Sequence, residues 1–447
     1  MRLTRRDFCL LGTAAGAAVL AGCGGGAGDA GSAGGTSSGG FSPRLDGDVS
    51  ATLSVVSDYE NFESLDEAAL GFQSYYPGVT ISHEHMDDFA NTVAQRISSD
   101  PSVALVYLSA FHLDARYGLA DQLVDLTQED IDISAVDPKA YESCYLDGRL
   151  PYVPIWYRDL GLVANTDLLS REGLTIPQTY DDFVACCETL ISKGYLPVQG
   201  HLGNLQYLFT PYAMNYLENS CTTEQFADIR DGKDGAGSAL DTPFQFAFDQ
   251  MAQGYFSYES AQTYEDFYNG AILKFFEGDV PFLAASTSTV SGMAKRESKS
   301  EAFQANPFSY EFCYAPFGAD HPYVYRDTEG GFGISANCGE PDIAREFYRY
   351  CYTKDILNQF SELKGIPSTA LEASNKLYDN LPSTDSLPDE YKAFAWDFDD
   401  PTRVVEYAFC DTIAPMISGE VTDLAGAEAK VIENARARVA EAGGSSS

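Results

Sequence analysis

Basic residues are scarce in this chain. Its 447 residues include 28 Lys and Arg against 66 Asp and Glu, a formal charge of −38 at pH 7. A surface that acidic repels phosphate backbones, so nucleic acid is excluded as a partner. Histidine occurs 5 times, with no HxxxH spacing and no H-E-x-x-H. The 10 cysteines include no C-x-x-C pair, which leaves zinc and thioredoxin-type sites without support. No P-loop occurs. No apolar run reaches the ~18 residues of a membrane-crossing helix. Tryptophan is found only at positions 156 and 396. Nothing in the pattern asks for a metal, a cofactor or a catalytic residue.

The first 22 residues read as a targeting segment. Arg2, Arg5 and Arg6 form a positive start, and Leu10 to Leu20 is a short apolar stretch. Thr4-Arg5-Arg6-Asp7-Phe8 resembles a bacterial twin-arginine export signal. Leu20-Ala21-Gly22-Cys23 resembles a lipobox, in which the Cys23 thiol is diacylated and the leader removed. Without the leader, which carries three Arg and one Asp, the charge is near −40. Residues 24–40 are almost all Gly, Ala and Ser and cannot bury enough apolar area to order themselves; with residues up to 49 they form a lipid-anchored linker. The expected location is the outer face of the bacterial cytoplasmic membrane. A twin-arginine substrate folds before export, in a reducing cytosol. Thiols are then as open a reading as disulfides for Cys144, Cys186, Cys187, Cys221, Cys313, Cys338, Cys351 and Cys410.

About 400 residues remain, more than one core usually supports, so two lobes are expected. Residues 51–57 alternate as a strand. Phe62, Leu65, Ala69, Phe72 and Tyr76 recur at helical spacing before Pro77-Gly78. Residues 79–85 form a second strand, 89–97 a helix, and 102–109 a near-continuous apolar strand. Strand alternating with helix predicts an α/β fold with parallel pairing. The grammar returns later: Thr179 caps a helix over 180–192, residues 263–286 read as helix then strand, and 330–367 as a strand followed by two helices, with Thr353 capping the second.

The order of landmarks resembles the carbohydrate-type (family 1) extracellular solute-binding lipoproteins of ABC importers. The resemblance rests on "YGLADQLVDLT" (117–127), "GRLPYVPIWYRDLGLVANTDLLSREGLTIPQTYDDFVACCETLISKGYLPV" (148–198), "FFEGDVPFLAAS" (275–286) and "GGFGISANCGEPDIAREFYRYCYTKDILNQF" (330–360). It implies a two-lobe periplasmic-binding-protein-like fold (class II), with the ligand cleft between lobes joined by a hinge. Lobe one would be residues 50–157 and 332–367, lobe two 158–331 and 368–443, with a tail at 444–447. The chain would capture a carbohydrate, an oligosaccharide by preference, and deliver it as a monomer to ABC permease subunits.

Aromatic rings stack on the C–H faces of a sugar while carboxylates and amides bond its rim. Candidates are therefore loop residues at strand ends: Tyr59 and Glu60 after the first strand, Asp87 and Asp88 after the second, Phe111 after the third. Asp88 could instead cap the following helix. Trp156 and Tyr157 stand where the chain begins to cross, Tyr207 at a family stacking position, and Phe332 after Gly330-Gly331. Trp396 and Tyr407 complete the set. After "FFEGDVPFLAAS" the family often carries a Trp; here Ser288 and its neighbours put hydroxyls in that place. Two rival readings remain: a binding protein for a polyamine or other organic cation, and a tethered hydrolase. The His83-Glu84-His85 pair on a strand and the "SELK" sequence (361–364) are the only features that lean toward the second.

Overall fold

The computed structural model describes residues 40–113, 117–264, 266–371, 381 and 384–444. The leader, Cys23 and the tether up to residue 39 lie outside the described residues, as does the tail beyond residue 444. Three parallel strands open the fold: β1 (Ser50–Ser57), β2 (Gly78–His85) and β3 (Val103–Leu108), with β1 central. The crossovers are helices α1 (Glu63–Gln73) and α2 (Phe89–Ser99). Helix α1 turns Leu65, Ala68 and Phe72 to the core. It stops short of Pro77, so Tyr76 leaves the helical face, and its hydroxyl donates to Glu346 Oε1 at 2.6 Å. All of β3 is buried, as its apolar run requires. One neighbour of β3 is parallel β1, and the other, β8, is antiparallel.

Two long strands dominate the rest, β4 (Val153–Asn165) and β8 (Val324–Ile334). With β5 (Val198–Gln199), β6 (Phe282–Ser286), β7 (Tyr310–Tyr314) and β9 (Lys392–Phe394), they complete one sheet ordered β2-β1-β3-β8-β4-β6-β5. The first half of β4 pairs with β8, and its second half is flanked by β6 and β7. Strand β8 likewise pairs β3 at its end and β9 at its start. Gly331 permits the closest approach of these strands. A Cβ there would lie 1.8 Å from the Val153 carbonyl oxygen.

The buried side chains fall into three clusters. The first takes β1–β3, α1, Val153 to Tyr157 of β4, and Phe332 and Ile334 of β8. It also takes Ile343 to Cys351 of helix α6 and Ile356 to Phe360 of α7, where α3 (Tyr180–Ser192), α4 (Gln206–Ser220), α5 (Thr287–Glu297), α6 (Pro341–Cys351) and α7 (Lys354–Lys364) follow in order. The second joins Leu160, Leu162 and Ala164 of β4 to α3, α4, α8 (Val404–Ser418) and α9 (Leu424–Gly444). The third contains Val163, Leu283, Ala285 and Met293. Strand alternation explains the split: even positions of β4 and β6 face one cluster, odd positions the other. Thus β4 and β8 change partners between Tyr157 and Leu160 and between Tyr325 and Phe332. A third connection, residues 366–370, runs beside β4, with Thr369 N–H donating to the Ile155 carbonyl at 3.1 Å.

Local signals held unevenly. The Thr179 hydroxyl accepts from Asp182 N–H at 3.2 Å, as a cap should. Thr353 occupies the cap position of α7, but its hydroxyl donates backward to the Tyr350 carbonyl at 2.9 Å. The stretch from 263 begins with a π-helical turn, Phe267–Ala271, before a short helix Ile272–Phe275. The eight body cysteines are all unpaired, and six are buried. Burial pushes the Cys186 thiol up to about 11 and the Cys313 thiol up to about 12, so these are inert apolar packing groups.

Candidate functional site

The site is organised where β8 leaves the first cluster, at Arg326-Asp327-Thr328-Glu329-Gly330-Gly331. Strands β4 and β8 pair Arg158 with Asp327 and Asp159 with Arg326 in antiparallel register. Cross-strand neighbours share a face, so each pairing becomes an ion pair. On one face Arg158 Nε donates to Asp327 Oδ1 at 2.9 Å and Oδ2 at 3.1 Å. On the other Arg326 Nε and Nη2 donate to Asp159 at 2.6 and 2.9 Å.

The Asp327 side chain is fully buried and holds a second guanidinium: Arg403 Nη1 donates to its Oδ2 at 2.6 Å. Arg403 sits at the start of α8 with φ 55°, and Asp400 caps that helix by accepting from Val404 and Val405 N–H at 2.9 Å each. Glu406, on the first turn, accepts from the Tyr325 hydroxyl at 2.6 Å and lies 3.9 Å from Arg158. Such a network adds little net stability. Its value lies in fixing geometry, because removing one member strands the others. Here it fixes Arg158, whose guanidinium lies 6.0 Å from the Tyr207 ring centroid.

Glu329 projects from the same face of β8 as Asp327. Its Oε2 accepts from the Ser288 hydroxyl at 3.1 Å and lies 3.6 Å from Arg158 Nε. Burial pushes its carboxyl up, against the downward pull of Arg158. Four phenols surround that charge. The Tyr59 and Tyr107 rings are 5.2 Å apart. The Tyr107 hydroxyl sits so close to the next residue that a Cβ on Gly330 would lie 2.7 Å from it. Tyr268 packs on Gly292 of α5, the helix that carries Ser288, and is 40 % exposed. Burial raises Tyr59, Tyr107, Tyr207 and Tyr268, and the Glu329 carboxylate adds to each rise. Tyr207 reaches about 12.

Two contacts bridge the first cluster to the elements of the others. The Phe111 ring, in the turn after β3, lies 5.8 Å edge-on from the Tyr407 ring of α8. Lys295 Nζ of α5 donates to Glu63 Oε1 of α1 at 2.8 Å.

The structure therefore gathers Tyr59, Tyr207 and Ser288 about Glu329, and brings Phe111 to Tyr407. Trp156 and Phe332 stand elsewhere. Both have no exposed surface and lie inside the first cluster against Phe62, Tyr107 and Phe360, so neither presents a face to a solute. Tyr157 turns the other way; its hydroxyl donates to Asp137 Oδ2 at 3.0 Å and its ring packs 5.5 Å from Trp396. Glu60, Asp87 and Asp88 are exposed. Asp87 meets His85 at 3.2 Å. Asp88 holds the cap position of α2 with φ 50°, yet its carboxylate accepts from Asn91 Nδ2 at 2.7 Å rather than from a backbone N–H. His83 is engaged by the Ser57 hydroxyl at 2.8 Å. Arg158, Glu329, Arg403, Tyr107 and Tyr268 escaped the sequence reading. For Arg158 the signal was an Arg-Asp dipeptide, 158–159, inside an otherwise apolar strand run, with a second such dipeptide at 326–327. A separate pocket of about 230 Å³ is lined by Tyr212, Asn215, Tyr216, Tyr323 and Tyr391 and shares no residue with this site. Among the described residues no helix is long and apolar enough to cross a membrane.

The family model of the bacterial extracellular solute-binding proteins matches residues 57–356. No curated relative matches the chain. Among solved structures, apo RafE from Streptococcus pneumoniae is 14% identical with a TM-score of 0.65, covering 87% of this chain and 98% of its own. A sugar transporter from Bacillus licheniformis in complex with stachyose is 16% identical, TM-score 0.60, covering 86% and 98%. The GacH receptor of Streptomyces glaucescens, solved unliganded and with acarbose, is 16% identical, TM-score 0.63, covering 88% and 99%. These likenesses extend over nearly the whole described body and carry the mixed α/β fold of the periplasmic-binding-protein-like solute-binding proteins. By the family match over most of its length, the chain belongs to the bacterial extracellular solute-binding proteins.

Proposed function

We propose that the protein captures a carbohydrate, an oligosaccharide by preference, between two closing lobes and hands it to the permease of an ABC importer. The observation that carries this reading is the group of Tyr59, Tyr107, Tyr207 and Tyr268 within reach of the Glu329 charge, with Ser288 and Arg158 held against that carboxylate at the point where β8 passes between clusters. Phenol faces suit the C–H faces of pyranose rings, and the carboxylate, hydroxyl and guanidinium suit their hydroxyls. The stachyose and acarbose complexes of proteins with this fold support the class of solute. We assign residues 50–157 and 332–367 to one lobe and 158–331 and 368–443 to the other. The contacting residues are Tyr59, Phe111, Tyr207, Ser288 and Tyr407, joined by Tyr107, Tyr268, Arg158 and Glu329. Diacylation of Cys23 and the linker that follows it hold the monomer near its permease.

A thermal-shift panel of neutral and modified oligosaccharides, monosaccharides, polyamines and metal ions tests the reading. A solute bound only by the native state stabilises it by RT ln(1 + [L]/Kd), about 2.7 kcal/mol at a hundredfold excess over Kd. At least one glycan raises Tm. A response to polyamines alone contradicts carbohydrate capture, and turnover of a responding glycan contradicts simple binding.

A further inference from the structure

Taking the carbohydrate reading as its basis, we propose that the solute is a glycan bearing a protonated amine, and that Glu329 is the residue that selects it. The argument begins with charge inside the site. Three carboxylates, those of Asp327, Glu329 and Glu406, stand around two guanidiniums, those of Arg158 and Arg403. Both guanidiniums are committed to Asp327 at hydrogen-bonding distance, whereas Glu329 has only the 3.6 Å approach of Arg158 Nε and Glu406 the 3.9 Å approach of Arg158 with a bond from the Tyr325 hydroxyl. One negative charge is left over, and of these two carboxylates Glu329 is the one open to a solute, with Glu406 only 5 % exposed. The neighbouring pair Asp159–Arg326 is balanced and lies on the opposite face. Asp58, exposed at the end of β1, acts on Glu329 with the same sign. The other cations nearby have partners of their own. Lys295 and Lys364 share Glu63 at 2.8 and 3.6 Å, Lys364 also lies 4.8 Å from the Tyr59 ring centroid, and Arg296 lies over the Tyr268 ring at 4.6 Å.

The remaining geometry suits an ammonium. Glu329 is 19 % exposed, with Oε2 held by Ser288 and Oε1 bonded to no donor among the described residues. Oε1 is therefore a partly desolvated acceptor that can take a donor from a solute. Charge-assisted hydrogen bonds are about twice as strong as neutral ones, so an ammonium gains more there than a sugar hydroxyl. A uronate or sulfated sugar meets like charge at the same place and is rejected. An N-acetyl group lacks the charge.

Titration calorimetry of the full chain at pH 7 and fixed salt, with matched tetrasaccharides, tests this: chitosan tetramer with free amines, chitin tetramer with acetylated ones, and neutral cellotetraose. The chitosan tetramer binds at least about tenfold tighter than the other two. Glu329→Gln keeps shape and hydrogen bonding but removes the charge. In this variant the chitosan tetramer loses its advantage and the ratio falls to about one. Equal or tighter binding of the neutral or acetylated tetramer overturns the inference, as does a ratio that survives in Glu329→Gln; carbohydrate capture stands in both cases. Binding of spermidine with no response to any glycan, or no glycan binding at all, overturns capture and selection together.

Discussion

Replacing Asp327 by Asn removes one charge from the centre of the buried network and leaves its volume unchanged. The consequence follows from the contacts. Asp327 accepts two hydrogen bonds from Arg158 Nε, at 2.9 and 3.1 Å, one from Arg158 Nη2, and one at 2.6 Å from Arg403. An amide carries a single acceptor oxygen, and its NH2 group faces guanidinium protons. Two buried cations are then left against one half-bonded oxygen. Breaking a buried pair from one side costs about 3–5 kcal/mol. With an m-value of about 3 kcal/mol/M in urea, the midpoint falls by about 1–1.7 M. Equilibrium unfolding followed by far-UV circular dichroism reads the shift. The same variant frees Arg158 to move onto Glu329, so the preference for an amine-bearing glycan weakens as well. A midpoint loss below about 0.3 M would refute the reasoning, because it would mean that Arg158 and Arg403 find solvent or other partners without cost.

Two further outcomes rest on other contacts. Trp156 is fully enclosed by aromatic neighbours, so Trp156→Ala costs about 3–5 kcal/mol of stability through the cavity it leaves. Urea unfolding with normal stability and lost glycan binding would return Trp156 to the solute. The Glu63–Lys295 pair joins α1 to α5. Burial would raise Glu63, but the hydrogen bond from Lys295, a backbone hydrogen bond and the charges of Lys364 and Lys295 bring it down to about 2. A carboxylate depressed in the folded state stabilises above its unfolded value near 4.5 and loses that contribution as pH falls toward 2. Both partners are half exposed, so screening limits the effect to about 0.2–1 kcal/mol. The stability difference between the wild type and Lys295→Ala, measured by urea unfolding, is present at pH 6 and narrows below about pH 4.5. A difference that grows on acidification contradicts the pair.

Much of the fold was legible because it depends on local pattern. The apolar run of β3, the period of α1 and the Thr179 cap are each written in a few adjacent residues. The family landmarks located the long strands as well. What the sequence could not show is which way a side chain points after a bulge. The register of β4 against β8 shifts on both sides of Trp156. Simple alternation therefore misplaces Trp156 and Tyr157, and a bulge re-aims both. Glu329 was equally hidden. Its partner Ser288 lies 41 residues away, and Tyr59 and Tyr107 come from the loop after β1 and from β3, near the start of the chain. Pairing over such distances is set by topology, and one chain does not reveal it. The charges themselves were visible: the Arg158-Asp159 pair inside an otherwise apolar strand needs partners, and a second Arg-Asp pair at 326–327 can serve it.

The central claim is that a glycan sits between the two lobes, against the tyrosines that surround Glu329. A crystal structure grown with the glycan that gives the largest thermal shift tests it most directly. The account predicts a sugar ring packed on Tyr207 or Tyr59, within hydrogen-bonding distance of Glu329 and Ser288, and enclosed between elements of both lobes. A glycan found only in the pocket at Tyr212, Tyr323 and Tyr391, or elsewhere on the outer surface, with the Glu329 region occupied by water alone, would contradict it.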